Sequence, residues 1–379
     1  MTSRRSITKA LALCPLALSM PQRGWAQQAS YPNRPVQLVV GFPPGQASDV
    51  GARIVAGKMG EDLKQTIYVD NRVGATGIIA HQYVKNAAPD GYTLLYGSTG
   101  TLAINPTLYR KLPYSPLKDF VPVVLLNSSP MFLVASADTP VKNLKEMIAY
   151  VKARPGKMSY GSSGNGATQH IAMEMLKTEA DLDILHVPYK GSPAMVTDLI
   201  AGRVQFAFDV STSILPHAKA GRVKLIGVSS SERSPAAPDV PTIAEQGLAG
   251  FEALTWAGLL APAGTPGSVV EQINAAANRA LNAGDLLEHY ARSGSIVKGG
   301  SPAAFAQFLR QEVAKCGKAV TASGAQVDLA LAAAAIAKVR LQWRKANILV
   351  GKDGVEACEK RVPLGRAELA VLCRVKPGY

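Results

Sequence analysis

Short apolar segments alternate with amphipathic helical patterns along most of this chain, and this alternation restricts it to an α/β fold built on parallel strands. The first apolar segment, Val36–Val40, has the composition of a buried strand, and a helical pattern follows from Asp49. We expect further strands at 66–69, 92–97, 132–135, 157–161, 184–187, 206–209, 223–229 and 255–260. We expect the main later helices at 144–153, 169–178, 194–201, 213–220, 268–281, 285–292 and 302–320. Folds of this class bind ligands at the carboxyl edge of the sheet.

The chain is long enough for two domains, since roughly 300 residues exceed what one small hydrophobic core supports. The segments 120–130 and 234–250 are typical of crossings between domains, and the second is rich in proline and glycine. We therefore expect one domain formed by 27–128 together with 252–328, and a second formed by 129–251. A chain that returns to its first domain makes a double hinge, which suits closure around a small ligand.

The amino-terminal segment has the pattern of an export signal. Residues 1–26 begin with basic side chains, continue with an apolar stretch over 11–20, and end with small residues near Ala26. We expect cleavage near Ala26 and a periplasmic protein. Ordinary secretion is favoured, while the adjacent Arg4 and Arg5 leave export by the twin-arginine route open.

The formal net charge of +14 does not indicate a nucleic-acid partner, because the basic residues are concentrated at the two ends of the chain. Residues 27–328 carry a net charge of only +4. Residues 329–379 form a basic extension of atypical composition, to which the sequence assigns no function. Three cysteines lie beyond the signal: Cys316, Cys358 and Cys373. The sequence does not decide whether Cys358 and Cys373 form a disulfide, and the spacing of the cysteines does not indicate a metal site.

The loop 41–49 joins the first strand to the first helix, and it is a candidate anion-binding corner. Ser48 and Asp49 are expected to cap the helix, whose first backbone N–H groups would point at a ligand in the loop. The alternative is a plain N-cap without a ligand. Both interpretations stay open on the residues alone.

Other candidate ligand-binding residues follow predicted strands or begin predicted helices, where open sheets bind their ligands. The alternative to ligand binding for the hydroxyl, amide and carboxylate groups is that they form turns or helix caps. A lone histidine in such a place is more often structural than ligand-binding. The alternative for Tyr189 is that it is simply an exposed loop residue. These candidates are Ser98, Thr99, Ser163, Asn165, Thr168, His170, Tyr189 and Asp209.

Several motifs occur together and in order: GFPPG at 41–45, DNRVGATG at 70–77, PDGYTL at 89–94, GSSGNGATQH at 161–170, VPYKG at 187–191, DVPTIAE at 239–245 and LLAPAGTP at 259–266. Together they resemble the Bug family of periplasmic solute receptors, which are the binding components of tripartite tricarboxylate transporters. The resemblance covers about 31–328.

This resemblance implies a two-domain periplasmic binding protein, a Venus flytrap, with a ligand cleft between its domains. It implies that a small organic acid is held between the loops 42–49 and 162–170, which adds Phe42, Pro43 and Gly45 to the ligand-binding candidates. It further implies a monomer that delivers the acid to membrane permease subunits and needs no cofactor or metal. Gln46 stands where the family usually has glycine, so we expect its side chain to influence which acid fits.

Two other classes of function were weighed. A ligand-sensing receptor that signals to a membrane partner would use the same fold, and the sequence does not separate it from transport. A periplasmic hydrolase built on Ser163, His170 and Asp209 is disfavoured, because the chain has no Gly-x-Ser-x-Gly elbow and His170 lies in the helix after Ser163. We therefore expect no catalytic residues.

Overall fold

The computed structural model describes residues 31–327. The predicted signal peptide and the extension with Cys358 and Cys373 lie outside the described residues. The strands are β1 Val36–Val40, β2 Ile67–Asn71, β3 Thr93–Ser98, β4 Phe120–Ser136, β5 Ser159–Ser162, β6 Leu185–Pro188, β7 Phe206–Val210, β8 Val223–Val228, β9 Leu254–Pro262 and β10 Ile296–Val297. The helices are α1 Ala47–Leu63, α2 Ile78–Lys85, α3 Asn105–Leu108, α4 Leu144–Lys152, α5 Thr168–Ala180, α6 Ser192–Ile200, α7 Ser211–Lys219, α8 Gly267–Leu281, α9 Gly284–Arg292 and α10 Pro302–Ser323. A 3-10 turn spans Ala75–Gly77, and a π-helical turn spans Gly100–Ile104.

The strands follow the order β2-β1-β3-β9-β4-β7-β5-β6, and β8 and β10 also pair with β4. β1 pairs in parallel with β2 and β3, and β5 pairs in parallel with β6 and β7. β4 and β9 are antiparallel to their neighbours and connect these two parallel groups. The predicted α/β class is confirmed, although the strands are not all parallel.

The predicted crossing at 120–130 and the predicted strand at 132–135 are one continuous strand of 17 residues, β4. Pro122 and Pro130 suggest a break, because proline cannot donate to a sheet. In β4, however, the register with β9 shifts just after Pro122, and Pro130 is the last residue of that pairing. From Met131 onward, the strand pairs with β7 and β8 instead.

The two places where the chain crosses between the parallel groups lie side by side. Ser229 N–H donates to Met131 O at 2.9 Å, and Ala253 N–H donates to Ser229 O at 2.9 Å. The predicted domain boundaries at 128/129 and 251/252 fall next to these crossings and stay a prediction. These hydrogen bonds join the two crossings to each other.

Helices cover both faces of each strand group, and their apolar faces form the core. One face of the first group packs against α1 and α8 through residues such as Met59 and Ile273, and the other packs against α10 through Phe305. The second group packs against α5 and α6 through Leu176 and Leu199. Burial of each such side chain contributes roughly 1.5–3 kcal/mol. The packing fixes the helix amino termini at the sheet edges, where the site lies.

Within residues 31–327, the longest helix, α10, and the other helices all lack an apolar stretch that would cross a membrane.

Candidate functional site

A cavity of about 370 Å³ lies between the two strand groups. Its walls are the segments 98–101 and 163–169, which follow β3 and β5 at the carboxyl ends of these strands. Trp256 on β9 and Leu108 at the end of α3 close its sides. The cavity therefore lies where an open α/β fold binds ligands.

The structure brings together part of the predicted site. The predicted residues that line the cavity are Phe42, Ser98, Thr99, Ser163, Asn165 and Thr168. The predicted residues outside its lining are Pro43, Gly45, Ser48, Asp49, His170, Tyr189 and Asp209. Lining residues that were not among the candidates include Thr76, Asn105, Leu108, Tyr109, Gln169 and Trp256. Thr76 and Gln169 lie within the motifs at 70–77 and 161–170, whereas no sequence pattern indicates that Leu108 and Tyr109 belong to the site.

The first loop is held by Asp49, which does not cap α1 as predicted. Gln46 is the N-cap residue and α1 begins at Ala47, so Ser48 and Asp49 lie inside the first turn. The Asp49 carboxylate accepts hydrogen bonds from Gly45 N–H at 2.8 Å and from the Asn71 amide at 2.8 Å. The cap prediction was wrong because this side chain turns back to the loop and the neighbouring strand.

Arg53 completes the surroundings of Asp49 with an Nη2 to Oδ1 distance of 2.9 Å. Burial of the carboxyl opposes its ionisation, but the bonds from Arg53, Gly45 and Asn71 outweigh burial and lower the Asp49 pKa. The carboxylate thus anchors the loop that carries Phe42 into the cavity wall.

Asp49→Ala is expected to lower the free energy of unfolding by about 2 kcal/mol, because Gly45 N–H and the Asn71 amide lose their acceptor. Chemical denaturation at neutral pH measures this loss. Asp285→Ala is the matched control, since its carboxylate pairs with Lys58 at the surface and exposed ion pairs contribute little. Equal losses in the two variants would contradict the anchoring role.

The second loop, 163–169, leads into the amino terminus of α5. The first helical hydrogen bond runs from Ile171 N–H to Ala167 O at 3.1 Å, so the N–H groups of Thr168 and Gln169 have no helical acceptor. Both residues line the cavity. A helix amino terminus of this kind favours a negatively charged group in front of it.

His170 supports this loop from behind. Only 3% of its surface is exposed, and its Nδ1 accepts from Gly166 N–H at 3.1 Å. Its ring stacks on His186 with a centroid distance of 3.9 Å. Burial lowers the pKa of His170, with a partial opposing effect from Glu174. Burial and the neighbouring His170 lower the pKa of His186 to about 4. The neutral His170 ring thus accepts a hydrogen bond from the N–H group of Gly166 in the loop.

Tyr189 and Asp209 also lie behind the cavity wall. The Tyr189 hydroxyl donates to Asp198 at 3.0 Å. Burial and then the bond to Asp198 raise the pKa of Tyr189 to about 12. Asp209 is fully buried and accepts from the hydroxyls of Ser192 and Ser213. The predicted ligand contacts of these two residues stay untested predictions.

The cavity wall contains no ionisable acid, lysine, arginine or histidine among the described residues. An anion would therefore be held by N–H and hydroxyl groups. The Ser163 hydroxyl donates to Gln169 at 2.8 Å, and His170 Nδ1 is used by Gly166, so these two residues do not form a nucleophile and base pair. Over residues 31–327, no three His, Cys, Asp or Glu side chains form a group that could hold a metal.

Comparison with known proteins extends these observations. The sequence model described as "Tripartite tricarboxylate transporter family receptor" matches residues 51–325. The UPF0065 protein in the tcbD-tcbE intergenic region of Pseudomonas sp. strain P51 is 42% identical over 83% of this chain and 94% of that protein. BugT of Bordetella pertussis is 34% identical over 79% of this chain and 92% of that protein.

Two solved structures are similar to this chain. R. palustris Rpa4515 with adipate is 34% identical, with a TM-score of 0.66, over 79% of this chain and all of that chain. MatC (Rpa3494) from Rhodopseudomonas palustris with bound malate is 35% identical, with a TM-score of 0.63, over 76% of this chain and all of that chain. The structure of the periplasmic binding protein BugD is similar to the same extent. The predicted two-domain periplasmic binding protein fold is thereby confirmed.

Proposed function

Because the chain belongs to the tripartite tricarboxylate transporter family of receptors, the Bug family of solute-binding proteins, we propose that it binds a small organic carboxylate between 98–101 and 163–169. In this proposal the protein is exported by the segment 1–26 and works in the periplasm as a monomer. It delivers the acid, chemically unchanged, to the membrane permease of a tripartite tricarboxylate transporter.

The observation that carries the proposal is the meeting of helix-terminal N–H groups with an uncharged cavity. Thr168 and Gln169, whose N–H groups have no helical acceptor, line the cavity, and the side chains of Asn165 and Ser98 add polar atoms. Such preorganised dipoles stabilise an anion without a buried cation. A lysine or arginine in the same place would itself need desolvation, which costs several kcal/mol.

The size of the cavity supports a small acid. Its volume of about 370 Å³ lies at the lower end of the roughly 300–1,000 Å³ typical of small-molecule sites. The two similar structures contain adipate and malate, which are acids of four to six carbons. An acid of that size fits within this volume.

Binding of the correct acid is expected to stabilise the folded protein by about 2.7 kcal/mol at a hundredfold excess over the dissociation constant. A thermal-shift screen measures this with dicarboxylates, hydroxy acids, amino acids, aromatic acids and, as controls, neutral sugars. The proposal predicts an upward shift of several degrees with certain carboxylates only. A shift with sugars alone, or chemical turnover of a bound acid, would contradict it.

A further inference from the structure

One cavity hydroxyl, that of Ser163, belongs to a hydrogen-bond chain whose direction is set by the buried Asp209 side chain. Asp209 is fully buried, and its Oδ2 accepts from Ser213 Oγ at 2.7 Å and from Ser192 Oγ. Its Oδ1 accepts from Val210 N–H at 2.9 Å and from the Gln169 amide nitrogen at 3.5 Å. Four donors converge on this carboxylate, so both of its oxygens act as hydrogen-bond acceptors.

Asp209 decides how the Gln169 amide is turned. Its Oδ1 accepts from Gln169, so the Gln169 nitrogen faces Asp209 and the Gln169 oxygen faces away. That oxygen accepts from Ser163 Oγ at 2.8 Å. A serine hydroxyl has one proton, and this proton is committed to Gln169. Ser163 therefore presents lone pairs, and not its proton, to the cavity that it lines.

The hydroxyl protons of two residues on the opposite wall, Thr99 and Thr101, also bond within the protein. Thr99 Oγ1 accepts from Trp256 N–H at 2.7 Å and donates to Trp256 O at 3.4 Å. Thr101 Oγ1 donates to the carbonyl oxygen of Ser98 at 3.1 Å. These protons bond to backbone oxygens within the protein. The hydroxyls of Ser163, Thr99 and Thr101 thus offer acceptors to a ligand.

We infer that the bound acid carries a hydroxyl or amino donor beside its carboxylate, and that Asp209 is the positioning residue that sets this preference through Gln169 and Ser163. The inference rests on the proposed function and deepens it. The carboxylate is held by N–H groups at the start of α5, while the donor bonds to Ser163 Oγ. An acid without the donor leaves that oxygen unpaired in a closed cavity, which weakens binding.

Asp209→Ala removes the acceptor that orients the Gln169 amide, so this amide can turn over and donate to Ser163. The Ser163 proton is then free to point into the cavity, and the site no longer prefers a donor. Gln169→Leu has the same consequence by a different route, since it removes the acceptor that holds the Ser163 proton.

The test is isothermal titration with three pairs of acids that differ by one hydroxyl: malate and succinate, lactate and propionate, and mandelate and phenylacetate. For the pair that binds best, the unmodified protein should bind the hydroxy acid about tenfold tighter, the usual value of one hydrogen bond. In Asp209→Ala and in Gln169→Leu, this ratio should fall to below about threefold. Ser213→Ala is the matched control, because it removes a donor on the other oxygen of Asp209 and should keep the ratio.

Succinate, propionate or phenylacetate binding as tightly as its hydroxy partner would overturn the inference and leave the proposed function standing. An unchanged ratio in a folded Asp209→Ala or Gln169→Leu protein would overturn the role of Asp209. If the protein binds none of the six acids and none of the acids in the thermal-shift screen, the proposed function itself is overturned. The use of two variants keeps the test decisive if one of them fails to fold.

Discussion

Gly166→Ala is expected to weaken ligand binding about 100-fold while the protein remains folded. Gly166 lies on the second loop with φ +72°, and a Cβ atom built there would be 2.3 Å from Leu108 Cδ2 and 2.9 Å from Cδ1. Leu108 belongs to the opposite wall of the cavity and is itself buried. The two walls can approach this closely only because position 166 has no side chain.

The substitution has two costs. A left-handed conformation costs a residue with a Cβ roughly 1–2 kcal/mol in the free and the bound protein alike, so it lowers stability and leaves affinity unchanged. Overpacking costs a further 1–3 kcal/mol only when the walls are together, as they must be around a bound ligand, so this cost weakens binding. The overpacking cost therefore appears in the dissociation constant more than in the stability of the free protein.

Isothermal titration of Gly166→Ala with the acid that binds best measures the loss. Gly221→Ala is the matched control, because Gly221 has φ +69° and nothing within 4 Å of its added Cβ. The double variant Gly166→Ala with Leu108→Ala should recover part of the affinity. An affinity equal to that of Gly221→Ala would show that contact between the walls is not needed for binding.

Acidification from pH 7 to pH 4 is expected to lower the free energy of unfolding through His81 by up to about 3 kcal/mol. His81 is 1% exposed, stacks on Tyr114, and lies with its Nδ1 2.9 Å from Gly77 O. Burial lowers its pKa to about 4 from 6.5. Because the folded pKa is the lower one, the neutral ring is favoured by the fold. Its contribution is complete above about pH 6.5 and is lost as pH falls towards 4.

Urea denaturation of the protein and of His81→Phe at pH 7 and at pH 4.5 measures this contribution. The unmodified protein should lose more stability between the two pH values than the variant, since the phenyl ring does not titrate. His170 and His186 also have lowered pKa values and add to the loss in both proteins. An identical loss in the two proteins would contradict a neutral, buried His81.

The sequence predicted the elements and the corners of the site because both depend on short-range patterns. Val36–Val40 has the predicted bounds, and Ser98, Ser163 and Thr168 line the cavity. Each of these residues lies where a strand ends or a helix begins, and parallel strands bring such ends to a common edge. Local sequence patterns therefore identified part of each cavity wall.

Contacts between distant segments were not predictable. Trp256 reaches the cavity wall with its indole N–H bound to Glu312, 56 residues further along the chain, at 2.7 Å. His170 is in a predicted corner, but its stack on His186 turns the ring away from the cavity. β4 appeared as two segments, since the register shift that accommodates Pro122 depends on its partner strand. In each case, the deciding partner is remote in sequence.

The most direct test of the receptor account is a crystal structure of the protein with its tightest-binding acid. The account predicts that a carboxylate oxygen lies within about 3 Å of the N–H groups of Thr168 and Gln169. It also predicts that the acid is enclosed between 98–101 and 163–169, next to Trp256. An acid bound outside this cavity, for example between α5 and α10, or with its carboxylate turned away from the start of α5, would contradict the account.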